Sequence, residues 1–155
     1  MTASESENTA TRARQAWMGL LAKAPEGVVD EFLTSVTPKP EFTFLRQPEI
    51  GSVMVKGKTS GTGAAFNLGE VTITRCALKL TSGVVGHGYV QGRRKTCAEA
   101  AALVDAMMQT EDAEMVQSMV LDPLRARIEK TKNERASKAA ATKVDFFTLA
   151  RGEDK

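Results

Sequence analysis

Apolar positions recur along the chain with two different periods, and the switches between them outline the fold. In residues 10–23 (ATRARQAWMGLLAK) and just beyond, Ala13, Trp17, Leu20, Leu21 and Ala24 fall at three- and four-residue intervals, predicting a helix with one apolar face. Pro25 ends it. From Glu26 to Val36 the pattern repeats with Val28, Val29, Phe32, Leu33 and Val36, and Pro38 and Pro40 close this second helix. The period then drops to two. In residues 41–46 (EFTFLR) and 52–59 (SVMVKGKT), Phe42 and Phe44, then Val53 and Val55, alternate with other residues as in half-buried strands. The stretch between them, residues 47–51 (QPEIG), carries Pro48 and Gly51 where a hairpin turn needs them.

Past Ser60-Gly61-Thr62-Gly63, residues 66–80 and 84–92 read as two further strands joined by Thr81-Ser82-Gly83. Val71, Ile73, Cys76, Leu78 and Leu80 keep the alternation with one phase slip near Arg75, the mark of a bulge. From Thr96 the helical period returns. Thr96 and Glu99 have capping-box spacing, and Ala98, Ala101, Ala102, Val104 and Met108 follow on one face. Met115, Met119 and Val120 extend the apolar stripe to Asp122-Pro123, and Leu124 to about Ala141 predicts a charged, Ala-rich helix. The expectation is a single α+β domain over residues 1–155, with about four antiparallel strands packed with N- and C-terminal helices and with residues 1–9 disordered. The ending, residues 144–152 (VDFFTLARG), is unusually apolar for a terminus, where chains are commonly polar and frayed. Val144, Phe146, Phe147 and Leu149 either add an edge strand to the chain's own sheet or dock on a partner.

At 155 residues the chain is long enough for one core without disulfides or a structural metal, and 42% apolar residues suit a globular domain. No apolar run approaches the roughly 20 residues that span a bilayer, and the polar, acidic start lacks the features of a secretory signal, so a cytoplasmic location is expected. The net charge of +2 hides an asymmetry. Residues 39–95 carry nine Lys+Arg and three Asp+Glu, whereas residues 96–121 carry none and five. A basic strand region next to an acidic helix permits two interpretations: a solvated face, or a surface for anionic partners such as nucleic acid. One Tyr and one Trp give little support to a base-stacking platform.

Self-sufficient chemistry is scarce. Gly57-Lys58-Thr59 imitates the end of a phosphate-binding P-loop, but position 52 is Ser52 instead of Gly and the preceding residues alternate as a strand, which rejects that motif. Gly86, Gly88 and Gly92 fit no dinucleotide fingerprint and suit turns, bulges or close approach of a ligand. Cys76 and Cys97 lack paired spacing, and His87 is the only histidine, so no metal site is expected. Arg46, Lys56, Lys58, Arg75, Arg93, Arg94 and Lys95 lie on or beside the predicted strands, where arginine suits bidentate contact with phosphate or carboxylate oxygens.

Four strings carry more information than any of these: residues 46–55 (RQPEIGSVMV), 62–80 (TGAAFNLGEVTITRCALKL), 88–109 (GYVQGRRKTCAEAAALVDAMMQ) and 144–152. Together they resemble the G-subunit family of the bacterial carbon-phosphorus lyase core complex, over a similarity running from Trp17 to Gly152. The resemblance implies an organic-phosphonate catabolic system in which the G subunit joins H, I and J subunits, two copies of each, and acts functionally with an L subunit. The system displaces adenine from ATP by an alkylphosphonate such as methylphosphonate, giving ribose 1-methylphosphonate 5-triphosphate. This chain is then an accessory subunit, with ATP a substrate of the complex and no cofactor bound by the chain itself. The polar positions within the strings, Arg46, Glu49, Thr72, Thr74, Arg75, Gln91, Gly92 and Arg93, are the candidate substrate or partner contacts, and Val144, Phe146, Phe147 and Leu149 the candidate docking residues. A free nucleic-acid-binding α+β module is the alternative.

Overall fold

The computed structural model describes residues 3–59 and 61–142. Helix α1 (Ala3–Ala22) reaches back well beyond the expected start near Ala10, into residues expected to be disordered. After Pro25, Gly27 adopts φ 76° and feeds α2 (Val28–Leu33). A three-stranded antiparallel sheet follows in the order β1 (Phe42–Lys58), β2 (Ala65–Leu80), β3 (Val85–Gln91). Helix α3 (Lys95–Met107), the short α4 (Ala113–Val116), a π-helical turn (Gln117–Leu121) and α5 (Asp122–Ala141) complete the described chain. The class is α+β, as expected.

The strand count differs from the expected four because the first two are one. Residues 47–51 do not turn; β1 runs through them, and the register slips between Arg46↔Ala77 and Glu49↔Arg75. Two residues of β1 lie between those pairs against one of β2, so a bulge absorbs Pro48, whose missing N–H excludes it from a regular ladder. A second slip lies between Phe44 and Arg46. The alternation break near Arg75 therefore reflects irregularity in the neighbouring strand.

The core lies between one sheet face and the helices. Cys76, Leu78, Leu80 and Val90 meet Ala98, Ala101, Ala102, Val104 and Met107 of α3, and Val28, Val29, Leu33, Val116, Val120, Leu121 and Leu124 close the remaining sides. Gly86 and Gly88 are neither turn nor bulge residues. A Cβ on Gly86 would lie 2.0 Å from the Ala102 carbonyl oxygen, and one on Gly88 2.0 Å from that of Ala98, so the bare backbone of β3 is what lets α3 sit directly on the sheet. The expected Thr96/Glu99 capping box does not form: Arg94 is the N-cap and no side chain caps the helix. Its start is held instead by the turn from β3, described below.

Candidate functional site

Residues directly opposite one another in an antiparallel sheet share a face. The register thus aligns Arg46, Ala77 and His87 in one row across β1, β2 and β3, and Glu49, Arg75 and Tyr89 in the next. Both rows lie on the face turned away from α3. Arg46 Nη1 and Arg75 Nε each donate to Glu49 Oε1 at 2.5 Å, so one carboxylate oxygen joins two guanidinium groups that sit far apart in sequence. The hydrogen bonds from Arg46 and then Arg75 hold the Glu49 carboxyl below the usual carboxylate range. Tyr89, followed by Glu49, raises the Arg75 guanidinium above its ordinary value.

Beside this network runs an open groove of about 350 Å³, bordered by Leu45, Arg46, Arg75, Ala77, His87 and Tyr89. Exposed ion pairs add little to stability, but a carboxylate shared by two arginines fixes where both point. Each arginine gives Glu49 one of its five N–H donors, which leaves donors for a further oxyanion or a partner's carboxylate. Three of the expected contact residues, Arg46, Glu49 and Arg75, are thus brought together. His87 and Tyr89, which join them, carry no motif; only the strand register reveals that they share the face.

The other candidate positions fall elsewhere. Thr74 is fully buried and faces the helices. Its hydroxyl donates to the Gly92 carbonyl at 2.6 Å and accepts from the Arg94 backbone N–H at 2.9 Å. Gly92, at φ +89°, returns its N–H to the Thr72 carbonyl at 2.8 Å. Arg94 completes this turn by donating to the carbonyls of Gln91 at 2.8 Å and Ala24 at 2.7 Å. Thr74 and Gly92 therefore shape the β3–α3 connection, inside which their polar groups are hydrogen-bonded. Gln91 and Arg93 are exposed at its rim, and Thr72 is half-buried opposite Ser52. Val144, Phe146, Phe147 and Leu149 lie outside the described residues.

Sequence reasoning missed the best-connected polar residue. Asp105 is 0% exposed within the otherwise apolar run of residues 100–108. It accepts from Arg14 Nε at 3.1 Å and Nη2 at 2.7 Å, from Trp17 Nε1 at 2.9 Å and from the His87 backbone N–H at 2.8 Å. Buried charge has to be paired, and the signal was present as a lone carboxylate within AALVDAMM. Among the described residues, no three of His, Cys, Asp and Glu come together to hold a metal. Cys76 and Cys97 are both buried. Burial pushes the Cys76 thiol up to about 11, which keeps it protonated at neutral pH and unfit as a nucleophile. No helix among the described residues is long and apolar enough to cross a membrane.

A family model described as phosphonate metabolism protein PhnG matches residues 12–152. A relative from Rhizobium meliloti (strain 1021) is 39% identical over 152 residues, covering 98% of this chain and 97% of the relative. That relative is named alpha-D-ribose 1-methylphosphonate 5-triphosphate synthase subunit PhnG.

Proposed function

The chain belongs to the PhnG family of phosphonate-metabolism proteins, and on that premise we propose that it is an accessory subunit of a ribose 1-methylphosphonate 5-triphosphate synthase. The full-length similarity to a relative bearing that name carries the proposal. In the reaction, the bond between ribose C1′ and adenine N9 of ATP breaks as C1′ bonds to a phosphonate oxygen, releasing adenine. The chain works there with H and I subunits, with an L subunit functionally, and joins a J subunit in the core assembly in the cytoplasm.

Two observations favour an accessory over a catalytic part. The guanidinium groups of the open face are anchored to a carboxylate of the same chain, and the Cys76 thiol is protonated and buried. What this face offers is positioning: Arg46 and Arg75 can meet a phosphorylated substrate or an acidic side chain where subunits join.

Co-expression of the tagged chain with the H, I and J subunits tests the assignment. The expected outcome is recovery of all four in a stable complex that, with the L subunit, converts ATP and methylphosphonate to adenine and the ribosyl triphosphate. Recovery of this chain alone would overturn it. For the accessory role, Arg46→Ala with Arg75→Ala is expected to lower turnover by less than about 100-fold, below the loss typical of removing an essential group.

A further inference from the structure

Strand β3 pairs with β2 only from Ile73 to Lys79. Beyond that point β1 and β2 continue alone, pairing from Ser52↔Thr72 to Lys58↔Ala65. Seven residues of β1 and eight of β2, with one register slip between Val55 and Lys56, make a two-stranded ribbon roughly 25 Å long at about 3.3 Å per residue. Such a ribbon is marginal in water unless its faces are covered, yet this one exposes large apolar side chains: Val53, Met54, Phe66 and Leu68, with Ile50 at its root. Met54 is 51% and Leu68 66% exposed. Outside β1, β2 and β3, Met119 is the only large apolar side chain comparably exposed among the described residues. Exposed apolar side chains among the described residues are thus gathered on the sheet, where Phe44, Leu45 and Tyr89 lie on its body and Val53, Met54, Phe66 and Leu68 on the projecting ribbon.

We infer that this ribbon is an arm inserted into an apolar groove of a different polypeptide of the synthase, a groove with an acidic end that receives Lys56 and Lys58. The inference rests on the subunit assignment above and adds the surface through which the chain is held. Charge selects the occupant. Lys56 and Lys58 stand beside the tip, while the ribbon's one carboxylate, Glu70, already accepts from Ser52 Oγ at 3.0 Å. A second copy's ribbon therefore brings lysine to lysine at the tip, whereas an acidic groove satisfies them. Residues 50–72 also supply the roughly 20 residues a side of a standard interface.

The test uses the co-expressed complex. Met54→Glu and Leu68→Glu, singly and together, are compared with Met119→Glu, an exposed apolar control off the sheet, on the π-helical turn. The double ribbon variant is expected to reduce recovery with the other subunits at least about tenfold, Met119→Glu to leave it unchanged, and the isolated variants to keep the wild-type melting temperature. Trypsin is expected to cut after Lys56 and Lys58 in the free chain and to be blocked there in the complex. If the wild type assembles, and the double variant assembles equally with Lys56 and Lys58 cut at the same rate free or bound, the arm is overturned while the subunit assignment stands. If the wild type is not recovered with any subunit, the assignment fails and the arm with it. A wild-type dimer that Leu68→Glu dissolves would replace the foreign groove with a second copy.

Discussion

Asp105 shows at the residue scale how one side chain organises three elements. It sits on α3, takes both Arg14 and Trp17 from α1, and accepts the N–H of His87 on the outer edge of β3. Gln109 Nε2 supports the same edge by donating to the Val85 carbonyl at 3.0 Å. These contacts occupy an edge that would otherwise invite another strand. Asp105→Ala removes a fully buried carboxylate and leaves a part-buried guanidinium, an indole N–H and a backbone N–H without this acceptor. We expect a loss of about 3–5 kcal/mol, a large share of a domain's usual stability. Asp105→Asn keeps the shape but not the charge and should cost about 1–3 kcal/mol. Urea denaturation reads both, and a Asp105→Ala midpoint indistinguishable from wild type would show that water or neighbouring groups replace the carboxylate. The residue's position was legible in the sequence, but its role was not, because Arg14, Trp17 and His87 meet it only across sequence distances that register and packing set.

Among the elements, helix–strand packing was foreseeable in kind but not in its closeness. The Ala-rich period beginning near Thr96 predicted α3, and residues 84–92 predicted β3. What alternation could not reveal is that Gly86 and Gly88 serve α3, since a glycine has no side chain to mark a face. Gly88→Ala places a Cβ 2.0 Å from the Ala98 carbonyl oxygen and 2.9 Å from the Ala102 nitrogen, both backbone atoms that cannot swing away. It should destabilise the protein by about 1–3 kcal/mol or more through overpacking. Gly69→Ala, on the projecting ribbon with no atom within 4 Å of the added carbon, should be neutral or slightly stabilising. Thermal melts of the two variants separate a packing requirement from a general intolerance of strand substitution. Pro48 misled in the opposite direction: Pro and Gly together resemble a turn, yet Pro is also tolerated at a bulge, and pairing with β2 on both sides of residues 47–48 keeps β1 continuous.

Over the whole molecule, the basic strand region separates into charges that are used internally and charges that are free to act outside. Arg46 and Arg75 share Glu49, and Arg94 is committed to the carbonyls of Ala24 and Gln91. The surplus in residues 39–95 therefore does not form one continuous phosphate-tracking stripe: Lys56 and Lys58 sit near the ribbon tip, Lys79 at the far end of β2, and Arg93 and Lys95 at the start of α3. Tyr89 is the one aromatic side chain aligned with the Arg75 row, too few for successive bases to stack upon. A protein that neutralises several phosphates shows a steep fall of affinity with salt, about 0.9 in log–log slope for each phosphate contact on duplex DNA. This chain is expected to show no micromolar binding to duplex or single-stranded oligonucleotides at about 50 mM salt, measured by fluorescence anisotropy. Binding at that salt with a slope of several phosphates would restore the nucleic-acid alternative. At the proposed subunit junction the same charges would act differently: Lys56 and Lys58 would enter the partner with the apolar ribbon, while the Glu49-centred network stays on the sheet face at its root. An arm and an arginine-bearing face on one continuous pair of strands give the chain a way to be held by one subunit and to present donors at the boundary with it.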